Sequence, residues 1–477
     1  MGNTANELQS QWSNPSDILS LLLLIGSDIV QKAIAQLTGF MFSVPGTRGT
    51  SILIAPVALS FGWVAYAFSN LLAAAGDMRL MPASDCPSVV VTCSNGFVRE
   101  NRSWVLGRLL RDHETRCGID PRPKNEGGRE ESIRIDIFNL GPVSSPTLDL
   151  VWWLGLATLL IQLGIALVPW VLDGDWAVMM ITLCGNLLVI ITCAMPQWAD
   201  EKWAGRRLER GDITCLTRGN GHLHVMVFIG MPGSWALETL ATSIVIPRPE
   251  TRWVSLLLAV LWTCLLISIS GLEDNTWFLV AIGGIGMLQN VFAAGTTRAP
   301  SASRIPITKF SRAPTIIGRR GVCPDVDDYD INLEKDIEEV KDVLASSGLN
   351  TAASLAKPPK MPKWLHTMSK EDGVPGWLEP LKPEPPGDAG PSRETSDTIY
   401  AVGVHGALME LEKWVPTAGL AMVPIFFPTS LRYEDERIRN QVHKRFWRRA
   451  YSTQSVRKRA EAKRRAEERR SLVPADA

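Results

Sequence analysis

Five long stretches of this chain, residues 51–75, 151–172, 176–195, 253–270 and 276–294, contain no Asp, Glu, Lys, Arg or His. Each is close to the roughly 20 residues that an α-helix needs to cross a 30 Å hydrocarbon layer. A soluble core rarely buries so many uncharged runs of this length, so the pattern predicts a polytopic helix bundle. The chain also holds 17 Trp against 5 Tyr. Trp63, Trp152, Trp153, Trp170, Trp176, Trp198, Trp253 and Trp277 lie in or beside the runs, and most stand where an interfacial aromatic belt would.

Short connections predict the orientation, because Lys and Arg accumulate on the cytoplasmic side. Asp173 and Asp175 separate the second and third runs, and Glu273 and Asp274 the fourth and fifth, with no basic residue in either connection. Lys202, Arg206, Arg207 and Arg210 follow the third run, and Arg298, Arg304, Lys309, Arg312, Arg319 and Arg320 follow the fifth. The acidic turns are therefore expected outside. The connections 76–150 and 199–252, and everything beyond the fifth run, are expected in the cytosol.

Residues 1–45 are ambiguous. Positions 18–42 are apolar but hold Asp28, Gln31 and Lys32 near their middle. Asp and Lys each oppose insertion by about 3 kcal/mol at a helix centre, which roughly cancels what a dozen apolar residues contribute. Asp28 and Lys32 stand four apart with the acid first, the favourable order for a helical pair. Both a polar first span and an amphipathic surface helix fit. The stretch before it has Glu7 and Asp17 but no Lys or Arg, unlike a cleaved signal. Asn6 weakens a myristoylation reading of Gly2.

The two cytosolic connections carry their own structure signals. Residues 88–92 are β-branched and run into Asn95-Gly96; 102–116 read as a helix with Val105, Leu109 and Leu110 on one side; 133–138 alternate apolar and polar. In the second connection, 213–217 and 222–229 flank Asn220-Gly221, a hairpin dipeptide. Neither connection has apolar surface for a core of its own. The fold class expected is mainly α: a transmembrane bundle of five or six spans with a small α+β cytosolic domain built from the two loops. Its cysteines Cys86, Cys93 and Cys117 would then stay reduced. The opposite orientation would place the loop outside, make Asn101-Arg102-Ser103 a glycosylation acceptor at Asn101, and allow a Cys86–Cys93 bridge.

Motifs for chemistry are scarce. His113 and Cys117 stand four apart on a predicted helix, and His222 and His224 would share one face of a strand, so each pair offers two metal-type donors. Neither has a third or fourth ligand in register, so no metal site is assigned. GxGxxG after a strand, a P-loop, a GxSxG elbow and an HExxH helix are all missing, so no cofactor and no catalytic residue is assigned either. Inside the five runs the polar residues Gln162, Asn186, Gln289 and Asn290 suit helix-to-helix hydrogen bonding or a permeation path. Without ionisable groups there, an ion-coupled transporter is disfavoured.

The C-terminal third changes character. Leu333, Ile337, Val340 and Leu344 follow helical spacing within the segment 296–356, and 357–398 is a Pro-rich linker. Within 399–431, residues 405–414 make a good helix and Ile425, Phe426 and Phe427 need burial or a membrane surface. The stretch HGALMELEKWVPTAGLAMVPIFFPTSLRYEDE, with FGWVAYAF, GDMRLMP and NRSWVLGRLLRD, resembles uncharacterised multi-span integral membrane proteins of filamentous fungi over nearly the whole chain. That resemblance implies a polytopic architecture that includes the C-terminal helix, and it transfers no activity.

From Arg432 to Arg470 fifteen Lys or Arg face six Asp or Glu. Ile438, Val442 and Phe446 stand four apart, with Trp447 beside them and Lys444, Arg445, Arg448 and Arg449 on the flanks. This basic amphipathic helix, within 432–477, suits anionic inner-leaflet lipids or a cytosolic protein. The whole chain balances 49 basic against 49 acidic residues, so no nucleic-acid partner is expected. The sequence thus points to an integral protein of the plasma membrane or an endomembrane, with its C-terminus cytosolic. A scaffold or sensor is the leading function. A channel or facilitator is the rival, and a membrane enzyme comes third.

Overall fold

The computed structural model describes residues 26–43, 51–76, 79–117, 131–272, 274–309, 315–319, 398–415 and 417–428. Among the described residues, three helices are long and apolar enough to cross a membrane: α4 (Leu150–Asp173), α8 (Pro249–Ser270) and α9 (Thr276–Gly295). Two apolar helices are shorter, α2 (Trp63–Ala75) and α5 (Ala177–Cys193). The expected five or six spans thus resolve into three helices of spanning length. The remaining helices are α1 (Ser27–Leu37), α3 (Trp104–Arg116), α6 (Gln197–Lys202), α7 (Leu237–Thr242), α10 (Gly403–Trp414) and α11 (Ala418–Phe426).

Helix α4 is apolar on its outer face and mostly small or polar on its buried one. Along α4 the buried positions Val151, Gly155, Thr158, Gln162, Ala166 and Pro169 recur every three or four residues, while Leu160, Ile161 and Val171 are exposed. That polarity is the reverse of a water-soluble helix and suits a surface solvated by lipid. The connections α4–α5 and α8–α9 meet at one end, where Asn275 donates to Asp175 Oδ2 at 3.0 Å. All four helices join the sheet domain at their other end.

Residues 51–75 do not form the single helix expected of them. Strands β1 (Phe40–Ser43) and β2 (Ser51–Ile54) pair antiparallel, residues 55–60 have no regular secondary structure, and α2 begins only after Gly62, whose φ is 93°. Proline at 56 and the left-handed glycine break the helix there. The segment enters the bundle from the sheet end: Phe40 meets Trp152 at the start of α4, and Pro56 lies against Gly155. At its deepest, Phe61 packs on Gly283 and Trp63 stacks on Trp262, and α2 then returns until Ala74 O accepts from Arg252 near the start of α8. Both ends of the element therefore lie at the same end of the bundle.

The second layer is an eight-stranded mixed sheet. Its order is β10 (Thr398–Val402), β9 (Thr315–Arg319), β5 (Glu131–Leu140), β7 (His224–Gly230), β6 (Asp212–Thr217), β3 (Val89–Thr92) and β4 (Phe97–Glu100), with β8 (Ile307–Lys309) also on β5. Strands from both connections interleave: β5 pairs β7 in parallel and β3 pairs β6 antiparallel. The hairpin predicted at Asn220-Gly221 joins β6 to β7.

Alternation divides the two faces. Val225, Val227, Ile229, Ile133 and Ile135 face one core, which α10 and α11 close with Leu408, Leu411, Leu420 and Met422. This is where the apolar stretch around Phe426 is buried. Met226, Phe228, Phe138 and Leu140 face the other way, onto α3, in a core continuous with the bundle.

Glycines let the non-helical segment pass. A Cβ on Gly286 would sit 1.8 Å from Leu59 O, whereas one on Gly284 would meet nothing within 4 Å. Gly286→Ala should therefore destabilise the detergent-solubilised chain by about 1–3 kcal/mol through overpacking. Gly284→Ala, on the same helix, should leave it unchanged or slightly more stable. Equal melting temperatures for the two variants would contradict this packing.

Candidate functional site

The polar residues inside the bundle converge on the non-helical segment. Gln162 Nε2 donates to Leu59 O at 2.6 Å and to Ile282 O at 2.9 Å. Gln289 Oε1 accepts from Ala58 N at 3.2 Å, and Asn290 Nδ2 donates to Ala58 O at 3.2 Å and Ser60 Oγ at 2.6 Å. Trp63 Nε1 adds a further bond to Ala58 O. Non-helical backbone in an apolar bundle needs partners for each N–H and C=O, and these side chains supply them for both groups of Ala58 and for Leu59 O. Asn186 stands apart on α5, buried and without a hydrogen bond to the described protein. Asp28 and Lys32 are both exposed on α1, an 11-residue helix only about 16 Å long and too short to cross.

A second polar assembly forms the seam between the bundle and the sheet domain. Helix α3 presents Arg108, Arg111 and Arg116 to the end of α9. Arg108 donates to Thr296 O at 2.7 Å, Arg111 to Gly295 O at 2.7 Å, and Arg116 to Arg298 O. Asp85 ties Arg108 to Arg111, with each guanidinium 3.2 Å from Oδ2. Arg298 itself grips Asp149, the N-cap of α4, through two bonds of 2.6 and 2.8 Å, and also donates to Gln36 O. Its backbone N–H donates to Asp112.

The end of α1 is closed in the same way. Lys202 is 1% exposed and donates to Ala35 O at 2.7 Å, Gln36 O at 3.3 Å and Thr38 O at 2.5 Å. Burial, and then the nearby Arg298 and Arg304, push its pKa well below the usual lysine value. Three acceptor carbonyls nevertheless call for three N–H donors, which only the ammonium form has. Cations at helix C-termini satisfy orphan carbonyls and complement the macrodipole.

The third assembly lies between α3 and the sheet. His113 Nε2 and Asp136 Oδ2 are 3.1 Å apart, and His224 brings a ring nitrogen into the same group, all three ligand atoms lying within 4.8 Å of one another. Period two on β5 and β7 turns Asp136 and His224 toward α3, and the pairing of Arg134 with His224 brings them side by side. Asp136 Oδ1 accepts from Thr315 at 2.8 Å. Burial would lower the His113 pKa, but its hydrogen bonds to Asp136 and Cys117 and the Asp136 charge prevail and raise it to about 9. Burial, reinforced by His113, pushes His224 down to about 4.

The sequence paired these histidines differently. His222 falls outside β7 and is exposed, and Cys117, with Sγ 3.7 Å from His113 Nδ1, lies outside the three-atom group. The partners missed from sequence are Asp136 and the α3 arginines. Alternation already placed Asp136 opposite the Ile133, Ile135 and Ile137 face. Arg108 and Arg111, three apart on a predicted helix, already shared a face.

Asn101 is buried, and its amide donates to Ser88 Oγ at 3.0 Å while Oδ1 accepts from Ser103 N. That environment leaves no room for a glycan in the folded chain. Cys93 faces Cys215 across the sheet at 3.4 Å, not Cys86. The docking residues Ile438, Val442, Lys444, Arg445, Phe446, Trp447, Arg448 and Arg449, the helix around Leu333 to Leu344 and the linker lie outside the described residues. No protein-family model matches the chain, and neither a curated protein nor a solved structure does.

The seam makes a direct prediction. Lys202→Met removes the side-chain donor from Ala35 O and Thr38 O, while Gln36 O keeps Arg298, and should lower stability by about 1–3 kcal/mol. Lys32→Met, on the exposed face of α1, should stay within about 0.5 kcal/mol. Melting temperatures measured in one detergent compare the two.

Proposed function

We propose that the chain is an integral membrane protein that holds its sheet domain as a scaffold or sensor module on the cytosolic face. In this reading α4, α5, α8 and α9 cross the bilayer, and residues 51–75 enter and leave on the cytosolic side. The observation that carries it is the seam: Arg111 and Arg108 of α3 cap the end of α9, Arg116 holds Arg298 O just beyond it, and Arg298 clamps the start of α4. A module presented to partners in a fixed pose needs such a joint. The positive-inside pattern supports the orientation, since Lys202, Arg206, Arg207, Arg298 and Arg304 stand at the sheet end and Asp173, Asp175 and Asp274 at the other. The C-terminus is then cytosolic, and the bilayer is either the plasma membrane or an endomembrane. The resemblance to multi-span fungal membrane proteins agrees with this architecture and adds no activity.

Two further observations favour a scaffold over a channel. The amides of Gln162, Gln289 and Asn290 already bond the backbone of Ala58 and Leu59. A crevice between the helices is walled mostly by apolar side chains, Phe61, Val64, Ile181, Trp262 and Leu265 among them, with Ser60 as the one hydroxyl in its lining. Proteoliposomes loaded with the full chain should therefore pass water, glycerol and monovalent ions no faster than empty vesicles. A flux that Gln162→Ala abolishes would replace this reading with a facilitator.

Lipid is the first partner. Ile244 and Ile246 are 77% and 89% exposed beside a crevice lined by Arg79 and Arg102, an arrangement suited to an interface of apolar chains and phosphate groups. The basic segment 432–470 extends the same chemistry to anionic inner-leaflet lipids or a cytosolic protein. In full-length protein reconstituted with anionic lipid, trypsin should cut around Arg457 to Arg459 more slowly than in neutral bilayers, and high salt should abolish the difference. Cutting rates that ignore lipid charge would remove the lipid-docking part of the proposal.

A further inference from the structure

We infer that His113, Asp136 and His224 form a binding site for a zinc-class divalent transition-metal ion inside the sheet domain. The inference goes beyond the scaffold reading and holds whether or not that reading survives. Three separate elements, α3, β5 and β7, each deliver one donor to the same place, and two of them are neighbouring strands in fixed register. Ligands on a tetrahedral zinc at 2.0–2.2 Å stand about 3.4 Å apart. His113 Nε2 and Asp136 Oδ2 already meet that separation at 3.1 Å. No pair in the group is more than 4.8 Å apart, a gap that side-chain rotation can close while the strands stay in place.

The surroundings are those of a ligand set. Asp136 turns one oxygen to His113 while the other accepts from Thr315 Oγ1, which in turn accepts from Lys309 Nζ at 2.9 Å. A carboxylate fixed by its second oxygen is what orients a metal ligand. His224 is 6% exposed, yet its Nδ1 has no hydrogen-bond partner. A buried His–Asp ion pair would account for His113 and Asp136 alone. It would leave a second imidazole with an unpaired nitrogen packed 5.7 Å, centroid to centroid, from the first. A metal ion in place of the shared proton accounts for all three side chains, because each then offers a lone pair to one centre.

Two imidazoles and one carboxylate select Zn²⁺, Fe²⁺ or Co²⁺ over Ca²⁺ and Mg²⁺, which require more oxygen ligands. Three protein ligands leave a coordination position for water.

The test uses the full chain in detergent, stripped with chelator and titrated with Co²⁺, whose visible absorption reports the ligand field. The expected result is one Co²⁺ per chain, displaced by Zn²⁺, with Zn²⁺ raising the melting temperature of the wild type. Asp136→Asn and His224→Gln should each weaken uptake about tenfold or more and abolish the Zn²⁺-dependent thermal shift. Cys117→Ser should retain both. The proposal is overturned if wild-type protein takes up no Co²⁺, if uptake persists undiminished in both ligand variants, or if it is lost only on removing Cys117. Wild-type stoichiometry and thermal shift decide the matter even if a ligand variant fails to fold.

Discussion

The closure of the α9 C-terminus by the arginines of α3 is the interaction on which the rest of the architecture depends. A helix that ends in an apolar bundle leaves its last carbonyls without partners. From a different layer of the protein, Arg111 reaches Gly295 O at the end of α9, Arg108 the carbonyl of its C-cap Thr296, and Arg116 that of Arg298 just beyond the helix. Once they do, α3 is pinned to the bundle, and the face of the sheet that packs on α3 is pinned with it. Arg298 continues the chain of contacts to Asp149 and α4, and Lys202 repeats the device on α1. One physical device, a cationic side chain donating to the carbonyls at and just beyond a helix end, thus joins bundle and sheet.

The pairing of backbone groups also explains the interior of the bundle. A non-helical segment at that depth exposes backbone groups that a helix would have paired internally. Gln162, Gln289 and Asn290 answer Ala58, Leu59 and Ser60, and glycines at 155, 185, 283 and 286 make room for the segment to pass. Polar residues that could have lined a pathway act here as backbone partners. Hydropathy is blind to the difference, because the segment is as apolar as a spanning helix.

Much of the organisation was legible before any coordinates. The runs at α4, α5, α8 and α9 stand out because a lipid-facing helix must be apolar around most of its circumference. Strands β3, β5, β6 and β7 and helix α3 followed from alternation, turn dipeptides and helical spacing within each connection, whereas β4 was not read from the sequence. The run 51–75 misled, since charge and hydropathy do not register Pro56 and Gly62 as an interruption that depth-matched partners can support. Helical spacing placed Cys117 beside His113, where the structure has it, but it says nothing about what the sheet brings opposite the helix. Asp136 had a polar side chain on the correct face, yet nothing local linked it to His224, some ninety residues later in the chain.

The sequence alone determined which segments are apolar enough for a bilayer, that the connections carry strands and a helix, and where positive charge accumulates. These are properties of short windows, set by side-chain transfer energies and the periods of helix and strand. Tertiary structure decided that 51–75 turns back inside the bundle, that arginines close helix ends in another layer, and that two histidines and an aspartate from three elements meet. Such outcomes depend on strand order and register, which arise from the competition of distant surfaces for burial and are not encoded in any one window.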